Sequence, residues 1–371
     1  MKLGVVARCL NTEHIRGMGR YLYELLARSP QVPELSWHLL ADDPRHGLVR
    51  PEGIHAEVDI FSFRGDRFHM WEQVGLPARV RRLDLDLLHC TEGSLPLWQP
   101  IPTIVTLHDT LAWEEREHGF QSALYFDKLL PSALKRCAAV ITISESSRHD
   151  ILARWPWLES KLHVIPHGID EAYFEKDGAA AMPEALTSAL GSSQYLMYVG
   201  GPMERKRFAW AVDVLASCPQ HSLKLVACGF GAAARAQARA RVPQELQDRV
   251  VFAPFLSDQE LRAVYQQAAA VLYPTLYEGF GFPAIEAQAS GVPAIFSPVS
   301  SLRELIGPMT LQVDPHDLQA WVAAVQSALE IGSRKTELAA QAQAWARQFS
   351  WQHSFERHLD VYQRVIRSHK R

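Results

Sequence analysis

AVLYPTLYEGFGFPAIEAQASGVPAIFS, residues 270–297, contains one complete turn of an alternating architecture. The apolar run AVLY leads into a loop rich in glycine and aromatic residues. Pro283 suits the first turn of a helix, so helix geometry is predicted to begin near Phe282. A second apolar run, PAIFS, follows. Strand, loop, helix and strand in that order form the βαβ unit of a parallel sheet. Glu278 falls in the loop and Glu286 in the early helix.

Outward from this unit the same alternation recurs. YLMYVG, LKLVACG and VVFAPFL precede it as strand candidates, with helical stretches between them. Ser257 followed by Glu260 reads as a capping box before LRAVYQQA. Asp314-Pro315-His316-Asp317 is predicted to open a helix, with proline at its first position and acid in its first turn. The first half offers LGVVAR, SWHLLA, AEVDIF, LDLLHC, TIVTLHD, AVITIS and LHVIPHG. These runs are nearly continuous in apolar residues, as strands covered on both faces should be. Helical stretches GRYLYELLAR, MWEQVGLPARVRRL, SALYFDKLLPSALKRC and ESSRHDILARW lie among them. Residues 170–194 break the rhythm and carry Gly, Pro and Ser, as a linker does. The expectation is two doubly wound α/β domains, over 1–169 and 170–350, with a final helix over about 351–371. Ligands of such sheets bind beyond the carboxyl ends of the strands, and the default site is the cleft between facing domains.

Composition narrows the function classes. Of 371 residues, 47% are apolar and 21% charged, with net charge −3. That balance supports sizeable cores and offers no basic field for nucleic acid. The five cysteines form no C-x2-C pair, so buried free thiols in a reducing compartment are expected. The opening MKLGVVARCL is short and interrupted by Arg8, a first strand rather than a signal peptide. No run of about 18 apolar residues occurs, so no membrane span is expected.

Four places at strand ends carry chemistry. After the first strand, Gly17 and Gly19 flank Met18, and a helix is predicted to begin near Arg20. A glycine turn at a helix start presents amides to an anion. It is no dinucleotide fingerprint, because Leu22 stands at the third glycine position. TLHDT places His108 and Asp109 at another strand end, where a histidine can donate to a sugar hydroxyl or move a proton. YVGGPMERKRF sets Arg205, Lys206 and Arg207 before a helix, where cations can grip a diphosphate. Around Glu278 and Glu286, backbone amides of Gly279, Phe280, Gly281 and Phe282 can meet an anion or hydroxyl, and each carboxylate can accept two sugar hydroxyls. Asp84-Leu85-Asp86 imitates a metal-binding D-x-D but runs into a buried strand, and reads as strand entry.

Together these motifs resemble the retaining glycosyltransferases of family 4, with the two-domain GT-B fold. The most specific element is EGFGFPAIE, followed by AQASGVPAI. GMGRYLYELL, TLHDT, VITISESSRHDI, VIPHGID, YVGGPMERKRF and SSLRELIG with VDPHD fall in the family's order. The resemblance implies that the terminal helix crosses back to the first domain. It implies catalytic roles for His108, Arg205, Lys206 and Glu278. It places Gly17, Gly19, Phe280, Gly281, Phe282 and Glu286 at the donor, Glu286 on the nucleotide ribose. Family members often carry Asn where this chain has Arg207 and His167. No bound metal or cofactor is implied, since cationic side chains do a divalent ion's work. The implied activity is metal-independent hexosyl transfer, most similar to bacterial mannosyl- and rhamnosyltransferases. The donor would be GDP-mannose or GDP-rhamnose and the acceptor a lipid-linked surface polysaccharide such as an O-antigen. The enzyme would be cytoplasmic and peripheral to the inner membrane, with Arg79, Arg81 and Arg82 on a helix able to meet anionic head groups. Sugar-nucleotide 2-epimerases share the fold, and a non-catalytic sugar-nucleotide-binding subunit is the third alternative.

Overall fold

A computed structural model of the chain describes residues 1–13, 15, 17–63, 67–111, 125–175, 181–331 and 335–370. Residues 122–124 of one expected helix, 176–180 of the expected linker and the terminal Arg371 lie outside the described residues. The chain divides into two compact units, Met1–Gly168 with Ser350–Arg371, and Ile169–Phe349.

The first unit is built on seven strands: β1 (Lys2–Val6), β2 (Ser36–Ala41), β3 (Ala56–Ile60), β4 (Leu87–Cys90), β5 (Thr103–Thr106), β6 (Ala139–Thr142) and β7 (Leu162–Val164). All pair in parallel, in the order β3-β2-β1-β4-β5-β6-β7. The second unit holds β8 (Tyr195–Val199), β9 (Lys224–Cys228), β10 (Val250–Phe252), β11 (Ala270–Tyr273), β12 (Ala294–Phe296) and β13 (Thr310–Gln312). These are parallel too, in the order β10-β9-β8-β11-β12-β13. In each sheet the strand order reverses beside the unit's first strand, at β1/β4 and at β8/β11. Such switch points open a crevice beyond the strands' carboxyl ends.

Burial explains why most strands were legible. β4, β5, β6, β11 and β12 are buried at every position. The edge strand β13 was missed, because none of its residues is fully buried and its three residues carry no apolar run.

Several helix starts differ from expectation. The glycine helix spans Gly17–Arg28, so Gly17 and Gly19 lie in its first turn rather than in a loop before it. A Cβ on Gly19 would stand 2.7 Å from the Cys9 carbonyl, whereas one on Gly17 would meet nothing within 4 Å. The helix near Asp314 starts later, at Leu318, and Asp317 caps it by accepting the Ala320 N–H; Pro315 stays in the turn. The capping box of Ser257 and Glu260 is present. Residues Arg67–Gly75 form a wide π-helical segment leading into Leu76–Val80. Arg81 and Arg82 therefore lie past the helix, and Arg79 is engaged by Asp59 at 2.6 and 2.8 Å. Asp84 and Asp86 serve strand entry. Asp86 accepts the Lys2 N–H at 2.9 Å, and Asp84 takes its ammonium at 2.8 Å. All five cysteines are free, four of them buried and Cys9 half-buried.

The terminal helix, Trp351–His369, belongs to the first unit and packs on the glycine helix. Trp351, Phe355, His358, Tyr362 and Val365 fall on one stripe and are buried, as a helix facing a core requires. Polar side chains inside this seam form one hydrogen-bonded chain whose directions follow from neutral imidazoles. The Ser354 carbonyl can only accept, so His358 Nδ1 donates to it at 2.7 Å. His358 Nε2 then accepts from Tyr21 Oη at 2.7 Å. With its proton used, Tyr21 Oη accepts from Thr106 Oγ1 at 3.0 Å. Thr106 in turn accepts from His89 Nε2 at 2.8 Å, and His89 Nδ1 accepts from Tyr362 Oη at 2.8 Å. Burial keeps both imidazoles neutral, so each donates at one nitrogen and accepts at the other.

Burial pushes His358 down to about 4; Arg357 and His108 add to the shift, and the bond to Ser354 opposes it. His89 and His167 are held well below the usual imidazole value by the same desolvation. Below about 6.5 the unfolded chain binds protons that the folded one refuses, so stability falls as pH drops from there toward 4. Each such imidazole contributes about 1.4 kcal/mol per pH unit in that window. The urea midpoint is expected to fall between pH 7 and pH 5; an unchanged midpoint contradicts the buried neutral cluster.

Candidate functional site

The second unit's switch point assembles most of the expected residues. β8 ends in the turn Gly200-Gly201, where Gly201 has φ 64°. A Cβ there would stand 2.6 Å from the Gly229 carbonyl after β9, so the two loops approach as only glycine permits. A short helical turn, Glu204–Lys206, carries the first two cations. Arg207 follows in the left-handed region, φ 53°. This reversal sends the third cation elsewhere: Arg207 donates to the Pro315 carbonyl and stacks on Trp210 at 4.1 Å.

Arg205 and Lys206 turn to the loop after β11. Arg205 Nη1 lies 2.9 Å from Glu278 Oε1 and 2.6 Å from the Tyr277 carbonyl. Lys206 Nζ lies 3.3 Å from the same Oε1, and Thr275 Oγ1 lies 2.8 Å from it. Three donors thus converge on one carboxylate oxygen. The side chains of Arg205 and Lys206 are each 17% exposed and that of Glu278 10%. In so dry a setting a charge left unpaired is costly.

The loop is stitched from beyond β12. Glu278 N–H donates to Ser300 Oγ at 2.9 Å. Ser301 Oγ lies 2.7 Å from each of the Glu278 and Phe280 carbonyls. These serines open the quoted SSLREL, and their part was not foreseen; a serine pair just past a strand was the available signal. Gly281, φ 110°, precedes the helix Phe282–Ala289, and a Cβ on it would strike Leu302 at 2.4 Å. Phe280 is buried, its ring edge-on to Phe282. Glu286 is buried on that helix and accepts from Tyr265 Oη at 2.8 Å. Burial first, and Glu286 second, push the Tyr265 phenol well above its ordinary value. The two bracketing glutamates are thus a carboxylate within a cationic cluster and one held by a phenol.

His108, Gly17 and Gly19 belong to the first unit, at the carboxyl ends of β5 and β1. His108 Nε2 donates to the Thr91 carbonyl at 2.9 Å. That fixes the proton on Nε2 and leaves Nδ1 as an acceptor, so the neutral ring accepts from a hydroxyl instead of donating to it. Burial lowers its pKa to about 4 against the opposing bond to Thr91. Asp109 Oδ1 accepts the Leu111 N–H at 3.1 Å, shaping the turn. Gly19 lines a cavity of about 600 Å3 with Arg8, Cys9, Thr12, Glu13, Met18 and His46; Gly17 does not. Arg8, read in the sequence as a strand interruption, is buried with Glu72 at 3.1 Å and Glu92 at 3.4 Å. Burial works against its charge, yet Glu92 and Glu72 outweigh it and raise its pKa.

Among the described residues no group of three or more His, Cys, Asp or Glu side chains is placed to hold a metal ion. Among them, too, no helix is long and apolar enough to cross a membrane.

Sequence comparison matches residues 15–173 to Glycosyltransferase Family 4 and residues 193–330 to Glycosyl transferases group 1. The chain is 25% identical over 264 residues to O-antigen chain mannosyltransferase B of Escherichia coli, covering 70% of this chain and 69% of that one. It is 27% identical over 241 residues to O-antigen chain mannosyltransferase RfbU of Salmonella typhimurium, covering 65% and 64%. The chain thus spans about two-thirds of the length of these relatives. Anabaena Alr3699/HepE, solved with UDP and glucose, superposes with a TM-score of 0.74 at 18% identity, over 97% of this chain and 99% of that one. At that identity the likeness speaks for the fold.

Proposed function

Because this chain is a family 4 glycosyltransferase of GT-B fold, similar to bacterial mannosyl- and rhamnosyltransferases, we propose that it transfers a sugar, with retention, from GDP-mannose or GDP-rhamnose to a lipid-linked surface polysaccharide. The observation that carries this reading is the convergence of Arg205, Lys206 and Thr275 on Glu278 Oε1 at the β8/β11 switch point. A diphosphate arriving there competes for both cations, and arginine binds phosphate oxygens in a bidentate manner. As the cations move to phosphate, Glu278 is released to accept hydroxyls of the transferred sugar. Glu286 receives the ribose, and amides of Phe280, Gly281 and Phe282 meet the sugar. In the first unit, Gly17 and Gly19 open the glycine helix to an anion, and His108 Nδ1 accepts a substrate hydroxyl.

The departing nucleoside diphosphate gains negative charge as the glycosidic bond breaks. Arg205 and Lys206 stabilise that charge where other enzymes use a divalent ion. Asp109 is tied into its own turn, which favours front-face attack with the departing phosphate oxygen taking the acceptor's proton. The work is done at the cytoplasmic face of the membrane that carries the lipid-linked acceptor.

The test is incubation with GDP-mannose, with and without an α-mannosyl oligosaccharide, in the presence of EDTA. GDP release that requires the acceptor and survives the chelator supports the reading. Isomerisation of the donor without acceptor identifies an epimerase instead, and binding without turnover a sensor. A panel of GDP-, UDP- and ADP-sugars is expected to raise the melting temperature most with the GDP donor. A ligand at 100 times its Kd adds about 2.7 kcal/mol to stability. A response to UDP- or ADP-sugars alone contradicts the assigned base.

A further inference from the structure

Tyr21 stands among three imidazoles. Its hydroxyl is held by His358 on the terminal helix and by Thr106 on β5. Its ring meets the His108 ring edge-on, with centroids 5.2 Å apart at 87°, and lies 5.1 Å from the His167 ring. The His108 and His167 rings are 5.6 Å apart. The His108 ring is therefore fixed at Nε2 by the Thr91 carbonyl and along its flank by Tyr21 and His167. The orientation of Tyr21 is in turn set by which partner takes its proton.

We propose that His358 is a positioning residue for His108, acting through Tyr21. This rests on the role given to His108 above. His358 is fully buried, and its Nε2 is the acceptor that the Tyr21 proton requires. Without that acceptor the hydroxyl is a buried donor with no partner, and such a group moves to find one. Thr106 cannot serve as it stands, because it already donates to Tyr21 and accepts from His89. A turn of Tyr21 removes the flank that aims His108 Nδ1. Burial, Arg357 and His108 disfavour a charge on His358, and the bond to Ser354 opposes them. The groups facing it are His89 from β4, His108 after β5, His167 after β7 and Tyr21 from the glycine helix, with Arg357, Tyr362 and the Ser354 carbonyl from its own helix. Neutral His358 is thus the form that keeps the chain of bonds intact.

The experiment uses the full chain with GDP-mannose and an α-mannosyl oligosaccharide. His358→Leu removes the acceptor. His358→Gln restores one, with Oε1 available to Tyr21 and the amide available to Ser354. Expected are a kcat about tenfold lower for His358→Leu with little change in KM for GDP-mannose, and recovery in His358→Gln. In the His108→Ala background, His358→Leu is expected to cost nothing further, because residues that act as a unit are not additive. Should His358→Leu fail to fold, Tyr21→Leu removes the flanking ring together with its hydroxyl and is expected to show the same kcat loss and the same non-additivity. Nitrogen-15 shifts should place the proton of His358 on Nδ1 and that of His108 on Nε2. Full additivity with His108→Ala, or a His358→Gln as slow as His358→Leu, overturns the proposal while the role of His108 stands. A His108→Ala variant with unchanged kcat overturns that role, and the proposal with it.

Discussion

Lys206→Ala is expected to slow sugar transfer about a hundredfold or more while leaving the protein folded. An aimed donor at a developing anion is worth about 2.7–4 kcal/mol in enzymes where one has been removed, and each 1.36 kcal/mol is about tenfold in rate. Lys206 is the cleaner of the two cations to test. Arg205 also carries the Tyr277 carbonyl, so its loss would disturb the loop itself. Among the described residues Lys206 pairs with Glu278 alone among carboxylates, at 3.3 Å, and Arg205 and Thr275 still hold that carboxylate when it is gone. The measurement is kcat at saturating GDP-mannose beside a thermal melt. A kcat within about threefold of the parent would remove Lys206 from charge stabilisation.

Gly168→Ala is expected to be the most damaging small change in the first unit. A Cβ on Gly168 would lie 2.1 Å from Trp351 N, 2.5 Å from Trp351 Cα and 2.6 Å from the Ser350 carbonyl carbon. All three are backbone atoms, so no side-chain rotation relieves the contact. Ser350 caps the terminal helix by accepting from Gln352 and His353, and the helix start would have to move away from Gly168. Overpacking of this kind costs about 1–3 kcal/mol and more where nothing can yield, so a loss of about 3 kcal/mol or more is expected in urea denaturation. Faster proteolysis just ahead of residue 351 should accompany it. A midpoint unchanged in both assays would mean that the helix tolerates displacement.

The sequence made the two sheets legible because strands buried on both faces leave unbroken apolar runs, as in AVIT of β6 or AVLY of β11. It hid β13, whose residues are only half covered. Pro315 pointed to a helix start that Asp317 holds instead, since an aspartate able to accept the Ala320 amide outcompetes a proline two residues earlier. At the candidate site, Arg205, Lys206 and Glu278 were readable from their places after β8 and β11. That Arg207 leaves them was not, because its left-handed backbone is a property of the turn and not of the residue type. The chain of hydrogen bonds through His89, Thr106, Tyr21 and His358 was invisible. His89 sits inside an apolar strand and His358 on a helix 269 residues away along the chain, and only the fold joins them through Thr106 and Tyr21. The same holds for Arg8 and Glu72.

A crystal structure of the enzyme with GDP-mannose tests the central claim most directly. The account predicts diphosphate oxygens within about 2.7–3.2 Å of Arg205 and Lys206, Glu278 turned to the sugar hydroxyls, and Glu286 at the ribose. A complex in which both cations remain on Glu278 while the diphosphate binds elsewhere would contradict it.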